Sequence, residues 1–351
     1  MEILVTGCNG LVGGEAVLHY DRQGHVVYGI DNNMRREFFG PAGDTMWNLS
    51  WLKENTKRFV FMEMDIRCRE KIDDLFRKKK FDLIVHCAAQ PSHDKSAEIP
   101  LIDFEVNALA TLYLLEATRR WSPKAVFILM STNKVYGDAP NEFPLVETET
   151  RYDYARPEDF HGIGETLRID RSVHSVFGAS KVAADVMVQE YGRYYGLQTG
   201  VFRAGCITGS RHSGVELHGF VSYLIKTAVV GHRYSIYGYK GKQVRDQIHC
   251  SDLVGAFDCF AKNPRPGEVY NIGGGRDNSA SVLETIRAIE DRLKMKMDSQ
   301  YVDQPRRGDH ICYITDTRKF RSHYADWKSE YSLDRIYDEN IAFEKYRRGE
   351  G

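Results

Sequence analysis

Short runs of apolar residues alternate with helix-periodic segments through the first 205 positions of the chain. A run of about four to eight apolar, β-branched residues is typical of a buried strand, whereas apolar residues every three or four positions indicate a helix. Strands that alternate with helices predict a doubly wound parallel sheet of the α/β class. The predicted strands are 2–6, 25–30, 59–65, 82–88, 125–131, 198–204 and 268–272, and the predicted long helices are 101–120 and 180–195.

After residue 205 the pattern changes to longer loops, more aromatic residues and shorter elements. No repeat, low-complexity stretch or linker separates this part from the first. We therefore expect a second, smaller lobe packed against the carboxyl ends of the strands, where open α/β sheets bind their ligands.

Three glycines lie where the first strand passes into the first helix. Gly7, Gly10 and Gly13 follow the apolar run 2–6 and border a segment that begins Leu11-Val12. A backbone that passes close to a pyrophosphate and aims helix N–H groups at it needs residues without Cβ at such places. Three glycines alone are a weak signal, since a turn without any ligand can carry them.

An acidic residue strengthens the dinucleotide interpretation. Asp31 ends the second predicted strand, roughly 20 residues after the glycine turn, where a carboxylate can accept from both ribose hydroxyls. Asp31 favours NAD because its charge would repel a 2′-phosphate. Arg35 and Arg36 follow closely and leave NADP open as the alternative.

Composition indicates a soluble cytoplasmic enzyme. The 351 residues include 48 basic and 49 acidic side chains, a net charge of −1 that favours neither nucleic acid nor a membrane as partner. No apolar run reaches the length of a spanning helix, and no signal peptide precedes the first strand. The seven cysteines are expected to be reduced. No metal site is expected, because His212, Glu216 and His218 match no strong ligand motif.

Further motifs extend over nearly the whole chain, and the most specific is Ser-Thr-Asn-Lys-Val-Tyr-Gly-Asp at 131–138 with Glu-Thr-Glu-Thr-Arg-Tyr at 147–152. With them the chain resembles the extended short-chain dehydrogenase/reductases that act on nucleotide sugars, and among these the CDP-tyvelose (CDP-paratose) 2-epimerases. The other matching positions are Asp65-Ile66, Cys87-Ala88-Ala89-Gln90, Asn107, Lys181, 241–246, 270–274 and Arg307-Gly308-Asp309.

The resemblance implies NAD as cofactor and a nucleotide-diphosphate sugar as substrate. It places a Rossmann-type NAD-binding domain in residues 1–204 and 248–272, and a nucleotide-sugar-binding lobe in 205–247 and 273–351. The implied NAD contacts are Gly7, Gly10, Leu11, Val12, Asp31, Asn32, Asp65, Ile66, Ala88, Ala89, Gln90, Asn107 and Lys181. The implied substrate contacts are Ser92, His93, Thr132, Asn133, Lys134, Arg203, His218, Arg245, Arg307 and Asp309.

Four of these residues receive specific roles from the resemblance. Thr132 matches the hydroxyl that holds the reacting sugar oxygen, and Lys181 matches the lysine that binds the nicotinamide ribose. Arg245 and Arg307 match pyrophosphate contacts, for which a guanidinium fork is well suited. Because aspartates stand beside both arginines, structural ion pairs are the alternative.

Phe177 stands where the resemblance places the catalytic tyrosine, four positions before Lys181. In the family's mechanism the tyrosinate takes the proton of a sugar hydroxyl while a hydride passes to NAD. The keto sugar then presents its other face and takes the hydride back. General acid–base catalysis contributes about 10²- to 10⁴-fold, so its loss would slow the reaction without abolishing it.

Several side chains near Phe177 in sequence are candidates to replace the phenol. The catalytic set we consider is Thr132, Lys181, Phe177 and His174, with Lys134, Glu165, His93 and Asp94 as further candidates. The alternatives are that His174 only packs or hydrogen-bonds, and that His93-Asp94 only caps a helix.

The sequence therefore predicts an NAD-dependent epimerase that acts on a nucleotide-diphosphate hexose or deoxyhexose through a keto intermediate. Two alternatives remain: a non-redox isomerase or mutase that interconverts pyranose and furanose rings, and a protein that binds NAD without hydride chemistry. A homodimer is expected, because the resemblance assigns the helices 101–120 and 180–195 to a four-helix bundle between subunits.

Overall fold

A sheet of seven parallel strands forms the centre of the molecule. The computed structural model describes residues 1–216, 218–306 and 308–349. The strands of this sheet and of the smaller sheets, in chain order, are β1 (Glu2–Thr6), β2 (Val26–Asp31), β3 (Phe59–Glu63), β4 (Leu83–His86), β5 (Val126–Thr132), β6 (Leu145–Glu147), β7 (Tyr152–Tyr154), β8 (Gln198–Ala204), β9 (Cys206–Thr208), β10 (Tyr234–Tyr237), β11 (Val244–His249), β12 (Glu268–Ile272), β13 (Ser279–Ser281), β14 (Ser299–Val302) and β15 (Cys312–Tyr313).

Helices cover both faces of this sheet and build most of the smaller lobe. They are α1 (Leu11–Arg22), α2 (Met34–Phe39), α3 (Met46–Asn55), α4 (Arg69–Lys78), α5 (His93–Glu98), α6 (Pro100–Phe104), α7 (Ala110–Trp121), α8 (Ser175–Arg193), α9 (Phe220–Val230), α10 (Cys250–Lys262), α11 (Val282–Leu293), α12 (Arg318–His323) and α13 (Leu333–Tyr346). Short 3₁₀ turns join several of these elements. Within the described residues, no helix combines the length and the apolar character that crossing a membrane requires.

The strand order of the central sheet is β12-β8-β5-β4-β1-β2-β3, and every pairing in it is parallel. The chain runs outward from β1 through β2 to β3 and then returns to β4 on the other side of β1. The order therefore reverses beside β1, and the crevice at its carboxyl end is the place where such sheets bind ligands. The predicted fold class is confirmed.

Alternation along β1 explains the two-sided core. Ile3 and Val5 lie in an apolar cluster with α1 and α10, while Leu4 lies in a second cluster with α4, α7 and α8. Successive strand residues point to opposite faces, so a strand buried on both faces must be apolar at every position. This is why a continuous apolar run identifies β1 in the sequence.

Several predicted elements differ from the observed ones. The predicted helix 101–120 is interrupted by a π-helical turn at Glu105–Leu109 between α6 and α7. Here the carbonyl oxygen of Asn107 accepts a hydrogen bond from the hydroxyl of Thr111, 2.7 Å away. The observed strands β3 and β4 end two residues before the predicted strands 59–65 and 82–88 do, because Asp65 and Ala88 leave the sheet and line a cavity.

The smaller lobe has its own sheet and core. Strand β11 pairs with β9, β13 and β15, and β10 pairs with β14. Helices α9, α11 and α13 bury Leu224, Ile286 and Ile336 in a common apolar cluster. The proposed division of the chain at residues 204, 248 and 272 stays a prediction.

Candidate active site

A cavity of about 480 Å³ lies at the carboxyl ends of β1, β2, β4 and β5 and continues to the smaller lobe. Its wall includes Gly7 at one end, Thr132 and Lys181 in the middle, and Arg245 and Asp309 at the other end. Residues from both the implied NAD contacts and the implied substrate contacts therefore line the same cavity.

The glycine turn can accept a pyrophosphate. Gly7 has a φ of +69°, and a Cβ placed on Gly13 would lie 2.2 Å from the carbonyl oxygen of Gly7. Gly10 precedes the twelve-residue helix α1 and provides no side-chain cap for its N–H groups. The open N-terminus of a helix beside a turn without side chains fits an anionic diphosphate.

Asp31 lies on the cavity wall at the end of β2. Its carboxylate accepts hydrogen bonds from the backbone N–H of Asn9 at 3.0 Å and of Asn33 at 2.8 Å. Burial raises the pKa of Asp31, and these N–H groups oppose that rise. Fixed by the backbone in this way, the carboxylate is placed to accept ribose hydroxyls.

The two nearby arginines are engaged elsewhere. Arg35 donates to the carbonyl oxygen of Ser213 at 2.8 Å and lies 3.3 Å from Nδ1 of His218. Arg36 forms an ion pair with Asp44 at 3.1 Å. Arg35 and both of its partners lie on the cavity wall, whereas Asp44 does not.

Most of the expected cofactor residues lie on the cavity wall, but Gln90 and Asn107 do not. Both are buried in a hydrogen-bond network in which Asn107 Nδ2 donates to Ser180 Oγ at 3.1 Å and Gln90 Nε2 to Asp103 at 2.7 Å. Both side chains have protein partners in this structure, and their contact with NAD stays a prediction. They fix α8, and with it Lys181, against the loop after β4. The expected cofactor residues on the wall are Gly7, Gly10, Leu11, Val12, Asp31, Asn32, Asp65, Ile66, Ala88, Ala89 and Lys181.

Thr132 and Lys181 occupy the middle of the cavity. Thr132 ends β5, and its Oγ1 accepts from the backbone N–H of Lys134 at 3.2 Å. Lys181 lies on α8, and its Nζ donates to the carbonyl oxygen of Met130 at 2.9 Å. Burial lowers the pKa of Lys181 to about 8, although Asp185 opposes the shift.

Phe177 lies on the same wall, one helical turn before Lys181, and only 6 % of it is exposed. Its ring meets the ring of His93 edge to face, with centroids 5.0 Å apart. The position that the resemblance gives to a phenol therefore carries an apolar ring beside an imidazole.

His174 lies off the cavity wall, and its role as a replacement base stays a prediction. Its Nε2 is 2.6 Å from the carbonyl oxygen of Ile169, and its ring packs against Gly137, away from the cavity wall. Glu165 is also off the wall, where it accepts from the backbone N–H of Asn271 at 2.7 Å. Asp94 is exposed and outside the cavity as well.

His93 and Lys134 do lie on the wall. His93 Nδ1 is 2.8 Å from Ser175 Oγ, while its buried Nε2 has no hydrogen-bond partner among the described residues. Burial lowers the pKa of His93 to about 3, helped by the charge of Lys134. Lys134 Nζ donates to the carbonyl oxygen of Gly308 at 2.8 Å, and burial lowers its pKa to about 8.

At the far end of the cavity Arg245 forms an ion pair with Asp309. The pKa of Asp309 is held below its usual value: burial acts to raise it, but the charges of Arg245 and Lys134 prevail. The structural ion pair that the sequence left open is therefore present, on the wall of the cavity. Asn133 and His218 line the cavity too.

Two of the expected substrate contacts lie off the cavity wall, and their contact with the substrate stays a prediction. Arg203 is buried and makes two hydrogen bonds to Asp185, at 2.8 and 2.9 Å, and one to the hydroxyl of Tyr136 at 3.0 Å. Ser92 caps α5 by accepting from the N–H of Lys95. Neither side chain reaches the cavity wall. Arg307 lies outside the described residues.

Sequence reasoning missed several residues on the wall of the smaller lobe. Arg306 lies over the ring of Tyr237 at 4.6 Å, and Tyr223 and Tyr234 line the same end. The signal that could have indicated them is the concentration of aromatic residues after position 205, together with the adjacent arginines before Gly308. In the part of the chain that the structure describes, no group of three or more His, Cys, Asp or Glu side chains is placed to hold a metal ion.

The class of protein that this fold and site define is confirmed by comparison with known sequences. The model of the NAD dependent epimerase/dehydratase family matches residues 3–273. The chain belongs to this family, and NAD is its cofactor.

Individual relatives agree with this assignment. The chain is 33% identical to CDP-paratose 2-epimerase of Salmonella typhi over 350 residues, which cover 96% of this chain and 98% of that protein. It has the fold of the Thermotoga maritima UDP-glucose 4-epimerase solved with UDP-glucose, with a TM-score of 0.80, 24% identity and 99% of each chain covered. The Thermus thermophilus UDP-glucose 4-epimerase complex with NAD has a TM-score of 0.78, 24% identity, and coverage of 98% of this chain and 99% of that one.

Proposed function

We propose that the protein is an NAD-dependent epimerase that inverts one carbon of a nucleotide-diphosphate hexose or deoxyhexose through a keto sugar. The similarity to CDP-paratose 2-epimerase supports C2 as that carbon. The observation that carries the proposal is the single cavity that joins the glycine turn to the arginine-containing end, with Thr132 and Lys181 between them.

Each part of the cavity fits one part of this reaction. The turn at Gly7, the N-terminus of α1 and Asp31 bind the dinucleotide. When bound, NAD supplies a reversible acceptor for the hydrogen on the reacting carbon. Thr132 Oγ1 is placed to hold the sugar oxygen at that carbon, and Lys181 to hold the cofactor ribose.

The nucleotide diphosphate belongs at the other end. Arg245 and Arg306 provide guanidinium groups there, which suit diphosphate oxygens. Tyr223, Tyr234 and Tyr237 provide flat apolar faces for a base or sugar. This arrangement leaves the hexose in the middle, beside Thr132, where an oxidised sugar can turn its other face while its nucleotide stays bound.

A second candidate is a non-redox isomerase or mutase on the same cofactor and sugar sites. Phe177 is the observation that favours it, because a benzyl ring can neither donate nor accept a proton. The two candidates differ in one respect that can be measured. The epimerase breaks the C–H bond at the reacting carbon, and the mutase does not.

The experiment is incubation of the purified protein with CDP-, GDP-, UDP- and dTDP-hexoses, with sugar products and the absorbance of reduced cofactor followed together. We expect an epimeric product from at least one nucleotide series. Ring-contracted products with no reduced cofactor would support the mutase, and no turnover of any of the four series would contradict both candidates.

We also propose that the protein is a homodimer. Leu101 is 79% exposed and Phe104 51% exposed on α6, and Val176 and Val186 are exposed on the adjacent α8. Exposed apolar residues on two neighbouring helices are typical of an interface. Light scattering at micromolar concentration should give twice the chain mass of 40.3 kDa, and a monomer would contradict the proposal.

A further inference from the structure

We infer that His93 and Lys134 together replace the missing phenol, one as hydrogen-bond donor and the other as proton acceptor. Nε2–H of His93 donates a hydrogen bond to the reacting sugar oxygen, and the neutral amine of Lys134 accepts the proton of the sugar hydroxyl. This inference rests on the epimerase function proposed above and assigns the proton transfer that Phe177 cannot perform.

Ser175 provides a hydroxyl that can hold one nitrogen of His93. Ser175 Oγ accepts from the backbone N–H of Gly178 at 3.3 Å and lies 2.8 Å from His93 Nδ1. Among the described residues, Nδ1 is the acceptor within reach of the serine proton. In our proposal the serine hydroxyl donates to Nδ1, which places the proton of the neutral imidazole on Nε2.

The backbone at Ser175 supports this arrangement. Ser175 has a φ of +62°, in the left-handed region that residues with a side chain seldom adopt. The strained residue begins α8 and puts its hydroxyl within hydrogen-bond distance of His93. Strain of this kind persists where the surrounding structure holds a group in place for function.

His93 Nε2 is one of several buried polar atoms on cavity-lining residues that have no partner among the described residues. It is buried and unpaired among the described residues, although its ring lines the cavity. A buried N–H without an acceptor is costly, and a substrate oxygen at this wall would satisfy it. The low pKa of His93 keeps the imidazole neutral, and a neutral imidazole can polarise a carbonyl oxygen in catalysis.

Phe177 and His93 share one corner of the cavity. Their rings meet edge to face with an interplanar angle of 64°. Phe177 keeps the shape of the wall where the family has a phenol, and His93 brings an N–H to the same corner from the neighbouring helix α5. The chain thus has a donor beside the position where the hydroxyl is lost.

Lys134 reaches the same corner over Gly308. Its Nζ donates to the carbonyl oxygen of Gly308 at 2.8 Å, and a Cβ built on Gly308 would be 3.3 Å from His93 Nδ1. The two side chains are therefore neighbours across one residue. The lowered pKa of Lys134, about 8, leaves a useful fraction of neutral amine near pH 7.

The proton balance closes with these two groups. In the first step the sugar O–H bond breaks, its proton moves to Lys134 Nζ, and the C=O bond forms as the carbon loses its hydrogen with the electron pair to NAD. In the second step the ammonium would return the proton to the sugar oxygen as that carbon regains a hydrogen, with its electron pair, from the reduced cofactor at the other face of the sugar. His93 keeps its own proton throughout and holds the oxygen by hydrogen bonding.

The test uses the wild-type enzyme and the variants H93A, K134M and H161A with the active nucleotide hexose from the panel. His161 is exposed and off the cavity wall, so H161A is the matched control. We expect kcat to fall about 10²-fold in H93A, the range for loss of a donor to a developing oxyanion. NAD affinity by calorimetry should be unchanged in H93A, and H161A should match the wild type.

A rescue experiment separates a catalytic role of His93 from a structural one. Adding F177Y to H93A provides a phenol at the same corner. We expect kcat of the double variant to be at least about tenfold higher than kcat of H93A. If H93A does not fold, S175A is used instead, because it removes the hydroxyl that sets the tautomer while leaving the ring. We expect S175A to lower kcat with little change in KM.

The outcomes distinguish this inference from the proposed function. A wild-type enzyme with no isotope effect on a C2-deuterated substrate contradicts the epimerase itself. A normal isotope effect together with wild-type kcat in H93A or K134M overturns only the inference. Loss of activity in H93A that F177Y fails to restore also overturns the shared role.

Discussion

The cofactor end and the middle of the active-site cavity differ in how closely they follow the family pattern. The cofactor end has the glycine turn, the open N-terminus of α1 and Asp31 in the arrangement that a dinucleotide requires. The reaction centre keeps Thr132 and Lys181 but has Phe177 between them. The comparison teaches that a chain can keep the geometry for cofactor binding and lose the usual proton carrier. The first depends mainly on the backbone, whereas the second depends on a single side-chain oxygen.

The largest effect is expected from closing the glycine turn. In G13A the new Cβ would lie 2.2 Å from the carbonyl oxygen of Gly7, which is backbone and cannot move aside without moving β1 or α1. We expect a loss of about 3 kcal/mol of stability and no measurable NAD binding. Thermal unfolding and calorimetry with NAD measure the two effects.

Gly164 provides the matched control for this substitution. A Cβ there would meet its nearest neighbour at 3.8 Å, which is ordinary contact. G164A should therefore bind NAD as the wild type does. Tight NAD binding by G13A would show that the turn is not the pyrophosphate site.

The second largest effect is expected at the reaction centre. K134M removes the amine that we assign as proton acceptor, and kcat should fall about 10²- to 10³-fold. In the wild type kcat/KM should rise with pH and level off above about 8, because Lys134 must be neutral to accept a proton. That rising limb should be absent from the residual activity of K134M.

The surroundings of Lys134 determine how far its pKa can move. The titratable and charged groups that face it are Asp309, Arg245, Cys206, His93 and His310. Asp309 raises its pKa and Arg245 lowers it, so D309N should move the limb to lower pH. A limb that stays near 8 in K134M would assign the titration to another group, such as Lys181.

A smaller effect is expected at the cofactor end from D31S. Loss of the carboxylate removes an acceptor of ribose hydroxyls and the charge that repels a 2′-phosphate. NAD affinity should fall about tenfold, worth about 1.4 kcal/mol, while NADP affinity should rise. Equal or tighter binding of NADP by the wild type would show that Arg35 and Arg36 outweigh Asp31.

The smallest effect distinguishes the two candidate functions. In F177Y the phenol would return between Thr132 and Lys181, so an epimerase should keep its activity or gain a few fold. A mutase that uses the apolar ring to shape its pocket should lose activity in F177Y. Product formation by the two proteins at equal NAD occupancy measures the difference.

The difference between features set by the backbone and features set by single side chains also explains which parts of the structure the sequence predicts. Strands β1, β8 and β12 were predicted to the residue, because each contains a short group of apolar residues of the kind that a buried strand requires. The π-helical turn at Glu105–Leu109 was missed, since its cause is the tertiary network around Asn107 rather than local periodicity.

In the active site the residues fixed by backbone contacts were predicted best. Gly7, Gly10 and Asp31 are where the motif places them. Arg203 and His174 lie off the cavity wall, because each has a protein partner, Asp185 and the carbonyl oxygen of Ile169, that the sequence pattern does not indicate. The tyrosines of the smaller lobe lacked a motif that could have identified them.

The fate of one C–H bond tests the central claim, that this chain performs redox epimerisation without the tyrosine. The measurement is the kinetic isotope effect on turnover of the active nucleotide hexose deuterated at the reacting carbon, followed together with the absorbance of reduced cofactor. The account predicts a primary isotope effect and transient reduced cofactor. Full turnover with no isotope effect and no reduced cofactor would contradict it.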